Sequence, residues 1–283
     1  MNPGASALRL GLTRGWTQFR HLMTTSDGIR DTVLWNAVPL AILILNSGRT
    51  SPGTTLPFPV VVMPGILGLM VVAAAWSVTF LLTTEREDGT LLRAKAIPHG
   101  MTGYVAGVTV GTVLETAIGM AILLVPSLLL FDGVTIASAG RALTFLGVTL
   151  LGLVAMVPFG FAIGSVVTSP RAVGGIGFLL IGALAFVSGI IYPLQDMARW
   201  LQVVAQALPS YWVGLGMRSA FLPDAAAAWE VGGSWRPLEM VAVLGLWAVA
   251  SMALAPVLLR RMARREAGSA MEQRRDQALQ RIG

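Results

Sequence analysis

Few residues in this chain can carry chemistry. Cysteine is absent, and His21 and His99 are the two histidines, which removes disulfides and thiolate sites and disfavours a protein-built transition-metal centre. The 14 acidic residues are dispersed; neither a Ser/His/Asp set nor a pair of carboxylates gathers them, and that argues against hydrolysis. A G-x-x-x-x-G-K-[ST] phosphate loop is missing too, so the chain cannot hydrolyse ATP by that route. What remains is one acid inside a long apolar run, Glu115, and one dense island of charge from Thr84 to Met101. Burying a carboxylate in hydrocarbon costs about 2.5 to 3.5 kcal/mol on insertion scales, so Glu115 must face the inside of a helix bundle or a wet cavity. Two roles stand side by side for it: neutralising a cationic compound or pairing at a subunit interface, and a protonated or hydrogen-bonded structural residue.

The island reads Thr84-Glu85-Arg86-Glu87-Asp88-Gly89-Thr90-Leu91-Leu92-Arg93-Ala94-Lys95-Ala96-Ile97-Pro98-His99-Gly100-Met101. It separates two apolar runs that are each long enough to cross a bilayer, so it must lie in water. Thr84 and Glu87 have capping-box spacing, Gly89 breaks the chain, and Thr90 can cap a short helix, Leu91 to Ile97, that Pro98 helps to stop. A helix of two turns does not stabilise itself, and packing against something outside the chain is expected to hold it.

The elements that must position these groups follow from composition. The 283 residues are 55% hydrophobic and 12% charged, with mean hydropathy +0.73, where soluble domains carry about 25% charged residues. The fold class is therefore an all-α integral membrane bundle, since the apolar runs are continuous and lack the alternation of a barrel. Six spans are expected, at about 28–46, 60–82, 103–131, 142–167, 172–191 and 238–259, between an N-terminal region 1–27 and a basic tail 260–283. No compact apolar region precedes a small-residue cleavage site, so no removable signal peptide is expected. Lys95 is the single lysine, a bias of GC-rich bacterial genomes. If both termini lie on one side, that side carries 15 of the 20 basic residues; Arg49, Arg141, Arg199, Arg218 and Arg236 fall opposite. By the positive-inside bias, both termini and the charged island are expected in the cytoplasm of a cell whose plasma membrane the chain spans. The tail lacks interleaved aromatics, so no nucleic acid is expected to bind it.

Leu8, Leu12, Trp16, Phe19 and Met23 share one stripe of an N-terminal helix, with Arg9 and Arg20 at its edge and Arg14 and His21 opposite. This is the layout of an amphipathic helix resting in the membrane interface with its cations towards lipid phosphates. From Leu194 to Pro237, Trp200, Tyr211, Trp212, Trp229 and Trp235 alternate with prolines and isolated charges. Such a stretch is too interrupted to span, and it is read as short helices at the membrane surface with Trp200, Tyr211 and Trp212 as interface anchors.

Together these features resemble the permease subunits of the ABC-2 type exporters, a family that includes daunorubicin-resistance permeases and lipid and polysaccharide exporters. Glu85-Arg86-Glu87-Asp88-Gly89-Thr90-Leu91 through Pro98 is similar to that family's E-R-E-x-G-T-L signature between the second and third spans. Ser188-Gly189-Ile190-Ile191-Tyr192-Pro193, with Trp200, Pro209 and Arg218, resembles its pattern after the fifth span. The resemblance implies a half-channel that pairs with a second permease copy or paralogue and with two cytoplasmic ATPase subunits, which hold the ATP and magnesium; the chain itself is not an enzyme and carries no cofactor. It implies that Glu85, Arg86, Gly89, Thr90, Leu91, Leu92, Arg93 and Pro98 form the ATPase-coupling segment. Residues 9–23 become the elbow helix, and Gly189, Pro193, Trp200, Pro209 and Arg218 belong to the external helices. Arg93-Ala94-Lys95-Ala96 is more cationic than the family pattern, which suits an acidic partner surface.

The expected function is thus the membrane permease of an ATP-driven exporter for a hydrophobic or amphipathic compound, with Glu115 a candidate for the translocation path. An ion-coupled secondary transporter is the alternative, but repeat symmetry and several intramembrane ionisable sites are not apparent. A membrane-embedded lipid-modifying enzyme would gather acids or histidines at one membrane face, which these residues do not do.

Overall fold

A computed structural model describes residues 3–51, 53–95, 100–167, 169–189 and 194–282. The helices are α1 (Pro3–Thr24), α2 (Ser26–Leu45), α3 (Phe58–Glu87), α4 (Thr90–Lys95), α5 (Gly100–Leu130), α6 (Ala139–Val166), α7 (Pro170–Val187), α8 (Arg199–Ala207), α9 (Pro209–Phe221) and α10 (Pro237–Ile282). Short 3-10 turns cover Leu194–Asp196 and Asp224–Trp229. Among the described residues, strand-like pairing is limited to an isolated bridge between Thr50 and Pro57. Among the described residues, five helices are long and apolar enough to cross a membrane: α2, α3, α5, α6 and the Pro237–Met262 part of α10. The expected fifth span, 172–191, coincides with α7 up to Val187, while residues 190 and 191 lie outside the described residues, as do Pro98, His99 and Pro193.

The bundle is built on α3. Its most apolar stretch is 61% buried, against 6% for α2, and it touches α5, α6, α7 and α9. Without a hydrophobic force between helices in lipid, close approach through small residues is what holds them. Gly160 of α6 lies so near α3 that a Cβ there would stand 2.9 Å from the Cα of Ala75 and from the Cβ of Val78. In the same place the Thr79 hydroxyl donates to the carbonyls of Ala75, at 2.8 Å, and of Gly160, at 3.0 Å. Ser251 of α10 makes the matching bond to Ala155 of α6 at 3.0 Å.

Helix α1 lies along α5 through glycines on both sides. A Cβ on Gly11 would come within 2.8 Å of the Ala106 Cβ, and one on Gly15 within 2.9 Å of the Val110 Cβ. Its glycine face, not its apolar stripe, meets the bundle. Leu12 and Trp16 stay outside, 46% and 54% exposed.

The segment after α7 departs from the sequence expectation. Helix α9 is buried among α3, α6 and α10; Tyr211 and Trp212 are 0% and 3% exposed, so neither anchors the chain in a lipid interface. Trp200 alone of the three stays outside. The aromatics are spent within the protein because α8 ends beside them with unpaired carbonyls. Trp212 Nε1 donates to the carbonyl of Gln206 at 2.7 Å, and Trp247 Nε1 to that of Ala207 at 3.0 Å. Arg236 stacks 4.8 Å from the Trp212 ring and donates to Gln206 Oε1 and to the Tyr211 hydroxyl, each at 2.8 Å. These partners hold Arg236 at φ 44°, a left-handed conformation that a residue with a side chain seldom adopts.

Arg218 is likewise internal. Its Nε lies 2.5 Å from Glu230 Oε1 and its Nη2 3.1 Å from Oε2, while Nη1 donates to the Ser188 carbonyl at the end of α7 at 3.1 Å. Gly189 follows at φ 75°, packed on the guanidinium. On the same side, Arg141 bonds the Leu222 carbonyl and pairs with Asp224 at 3.1 Å. Three of the five basic residues counted against the positive-inside bias are therefore fixed structural bonds.

Two stability outcomes follow from these contacts. Gly160→Leu should destabilise the protein by about 1 to 3 kcal/mol by overpacking, read as a lower thermal unfolding midpoint in lipid nanodiscs. Glu230→Ala leaves Arg218 charged and buried and should cost about 3 to 5 kcal/mol, whereas the paired replacement Arg218→Met with Glu230→Leu should restore most of the midpoint. An unchanged midpoint in Glu230→Ala would show that the pair does not hold the outer segment.

Candidate functional site

The charged island does not begin with a capping box. Helix α3 runs without a break through Thr84 to Glu87, because no residue before Gly89 interrupts it. The Thr84 hydroxyl is buried with no hydrogen-bond partner. The stop is a C-terminal one: Asp88 N–H bonds the Thr84 carbonyl at 3.0 Å, Gly89 N–H bonds that of Arg86 at 3.3 Å, and Gly89 takes φ 71°. Helix α4 starts at once at Thr90 and is six residues long. Leu91 is fully buried in the chain's own core. The short helix is thus held from within, where the sequence pointed to an outside support. Glu87, Asp88 and Arg93 are left exposed around it.

Glu85 faces inward, to α1. Arg14 Nη2 lies 3.1 Å from Glu85 Oε1 and 3.3 Å from Oε2, and the Arg14 guanidinium sits 5.0 Å from the centroid of the Tyr104 ring on α5. Arg14 is therefore not among the cations turned towards lipid phosphates, since the carboxylate from α3 draws it across. Arg86 Nη1 donates to the Val167 carbonyl at 3.4 Å, capping the end of α6.

One helical turn from Arg14, Glu85 and Tyr104, at Gln18, Leu81 and Val108, the same three helices line a cleft of about 780 Å³. A turn spans roughly 5.4 Å. Its other walls come from α2, with Trp35 and Asn36, and from α7 at Gly174. Glu115, the acid singled out in the sequence, lines this cleft together with Thr112 and Thr116. Asn36 is held in place on both sides: its Nδ2 donates to the Thr32 carbonyl at 2.7 Å, and its amide packs where a Cβ on Gly119 would stand. Trp76 forms another wall, its indole lying in the space that any side chain at Gly177 would fill.

The proposed coupling residues Glu85, Arg86, Gly89, Thr90, Leu91 and Arg93 thus gather at one end of the bundle, next to the cleft that holds Glu115. Trp200, Pro209, Arg218 and Gly189 gather at the other, around α7 to α9. Nothing is described for the Leu92 side chain. Sequence reasoning missed two partners, Arg14 for Glu85 and Glu230 for Arg218, because separations of 71 and 12 residues leave no local signal for the contact. A third omission was legible: Thr112, Glu115, Thr116 and Gly119 recur at helical spacing and mark one polar stripe on an apolar helix.

The chain is 26% identical over 235 residues, 81% of its length and 80% of the relative's, to the daunorubicin resistance ABC transporter permease protein DrrB1 of Streptomyces coeruleorubidus. The family model for the ABC-2 type transporter matches residues 18–222. That match begins inside α1, takes in the charged end of α3 and the cleft, and stops just after α9. A multi-pass helical chain with this match over most of its length is a membrane subunit of the ABC-2 type transporter family.

Proposed function

We infer that the protein is the permease half of an ATP-driven exporter that moves a hydrophobic or amphipathic compound, a drug, natural product or lipid, out of the cell. The observation that carries this reading is the knot of Arg14, Glu85 and Tyr104. It ties α1, α3 and α5 together one turn from the cleft and beside the exposed charges of α4. A push on Glu87, Asp88 and Arg93, where α3 ends and α4 begins, is delivered to three cleft-lining helices at once, because α3 is continuous and Leu91 locks α4 onto it. Packed helices pass such a displacement on as rigid elements.

In this reading α7 completes six spans. Its 18 residues give about 27 Å of helix, close to the roughly 30 Å hydrocarbon core. Helix α1 is the elbow, with Leu12 and Trp16 turned to the lipid of the inner leaflet. Both termini lie in the cytoplasm of a plasma-membrane protein, following the excess of basic residues on that side. Two ATPase subunits supply ATP hydrolysis, and a second permease copy or paralogue completes the channel. The segment from Glu85 through Pro98 is their docking element, and the daunorubicin-resistance relative supports an export direction.

The absence of cysteine allows a direct test of the docking. Arg93→Cys should crosslink, in membranes, to a cysteine placed on the partner ATPase, and the yield should change when ATP and vanadate are added. Labelling of that cysteine in intact cells by a membrane-impermeant thiol reagent would put α4 on the wrong side and end the proposal. Charge reversal tests the knot. Arg14→Glu and Glu85→Arg should each lower ATP-dependent transport by about 10-fold, a loss equivalent to about 1.4 kcal/mol, and the double swap should recover most of it. Transport driven by a proton gradient with no ATP in inverted vesicles would instead favour an ion-coupled transporter.

A further inference from the structure

The cleft has an unbalanced charge. We propose that it binds lipophilic cations, with the Glu115 carboxylate as counter-charge and tryptophan rings as walls; this deepens the exporter reading and rests on the cleft being the substrate's path. Glu115 is half-buried at the middle of α5, and among the described residues it has neither a hydrogen-bond nor an ion-pair partner. Among the described residues, no lysine or arginine lines the cleft from any of its five helices. The charged and titratable groups facing it are quickly counted. α5 offers Glu115 and α2 offers Asp31, while α1, α3 and α7 offer none. Asp31 lies at the exposed mouth, and Arg30 holds it at 3.2 Å. Arg14, one helical turn along α1 from Gln18 at the cleft, is already paired with Glu85.

An ionised acid at that depth is costly until a cation meets it. A bound cation removes that cost, whereas an anion of the same shape adds to it. The walls suit a planar or multi-ring cation, since Trp35, Trp76 and Phe80 line the cleft and aromatic rings attract desolvated cations. An apolar helix face of a second copy of the chain, laid in the same space, would leave Glu115 unpaired. The experiment separates that occupant from a small molecule.

The probes are tetraphenylphosphonium and tetraphenylborate, matched in shape and opposite in charge. Their binding is followed by quenching of intrinsic tryptophan fluorescence on the full-length protein in lipid nanodiscs. Both ions partition into lipid, so the quantity read is the ratio of apparent Kd between variant and parent for each ion. Glu115→Gln should weaken tetraphenylphosphonium binding by about 10-fold or more, and leave tetraphenylborate unchanged or tighter. Gly177→Ala, which displaces the Trp76 indole, should weaken both ions alike, because it alters shape and not charge. Equal effects of Glu115→Gln on the two ions would overturn the proposal. So would Glu115→Gln separating associated copies with no change in cation binding, which would make the cleft an interface.

Failure of this inference is distinguishable from failure of the exporter reading. ATP-dependent accumulation of a lipophilic dye, neutral or cationic, in inverted vesicles that also contain the partner ATPase, reports on export alone. If that accumulation persists while Glu115→Gln leaves cation binding intact, charge selection is wrong and export stands. If cation binding falls as expected but no ATP-dependent accumulation occurs in the parent, the binding site stands and the export reading is wrong.

Discussion

Hydrocarbon offers nothing to a polar group, so a polar atom carried into the bundle is costly unless it finds a partner within the chain. This constraint accounts for more of the structure than any single contact. Thr79 and Ser251 bridge helices with their hydroxyls, Arg218 is enclosed by Glu230 and the Ser188 carbonyl, and two tryptophan N–H groups finish the last turn of α8. Where the rule is kept, the protein is tied together. At Glu115 it is left open beside a cavity, and the proposed cation site rests on that opening.

The second organising feature is the continuity of α3. A single helix of 30 residues packs by small residues on α6 and α9, lines the cleft in its middle, and ends in the charged segment. The proposed exporter relies on such a rod, because a hinge between the charged end and the cleft would absorb the motion. Gly89 supplies the turn only after the last charged turn of α3 is complete, so α4 is a lever attached to the rod and not a separate element. Arg14 and Tyr104 extend the same attachment sideways to α1 and α5.

The two ends of the bundle use charge in different ways. At the end holding the termini, exposed Glu87, Asp88 and Arg93 remain available to a partner. At the opposite end, Arg141, Arg218 and Arg236 are each consumed by carbonyls, carboxylates or rings of their own chain. A simple count of basic residues treats these populations alike, although only the first resembles the solvated cations from which the positive-inside bias arises.

Long-period properties were decided by the sequence itself. Apolar runs of bilayer length, an island of charge between two of them and the excess of basic residues on one side do not depend on which helices meet. The helical class and the approximate places of α2, α3, α5, α6 and α10 could therefore be read directly. Glu115 stood out for the same reason, because its cost is set by the surrounding run and not by a neighbour. Tertiary structure alone decided the pairings. Tyr211 and Trp212 have the composition of interface anchors, and only the placement of α9 among α3, α6 and α10 turns them inward. Thr84 and Glu87 have the spacing of a cap, yet a helix already running through them has no use for one. Arg14 and Glu85 are 71 residues apart, and no local pattern in either stretch specifies that they meet. Periodicity along a chain records how each helix relates to solvent and lipid, whereas contacts between helices depend on the shapes of two surfaces at once, and a single run of letters does not encode which pair will fit.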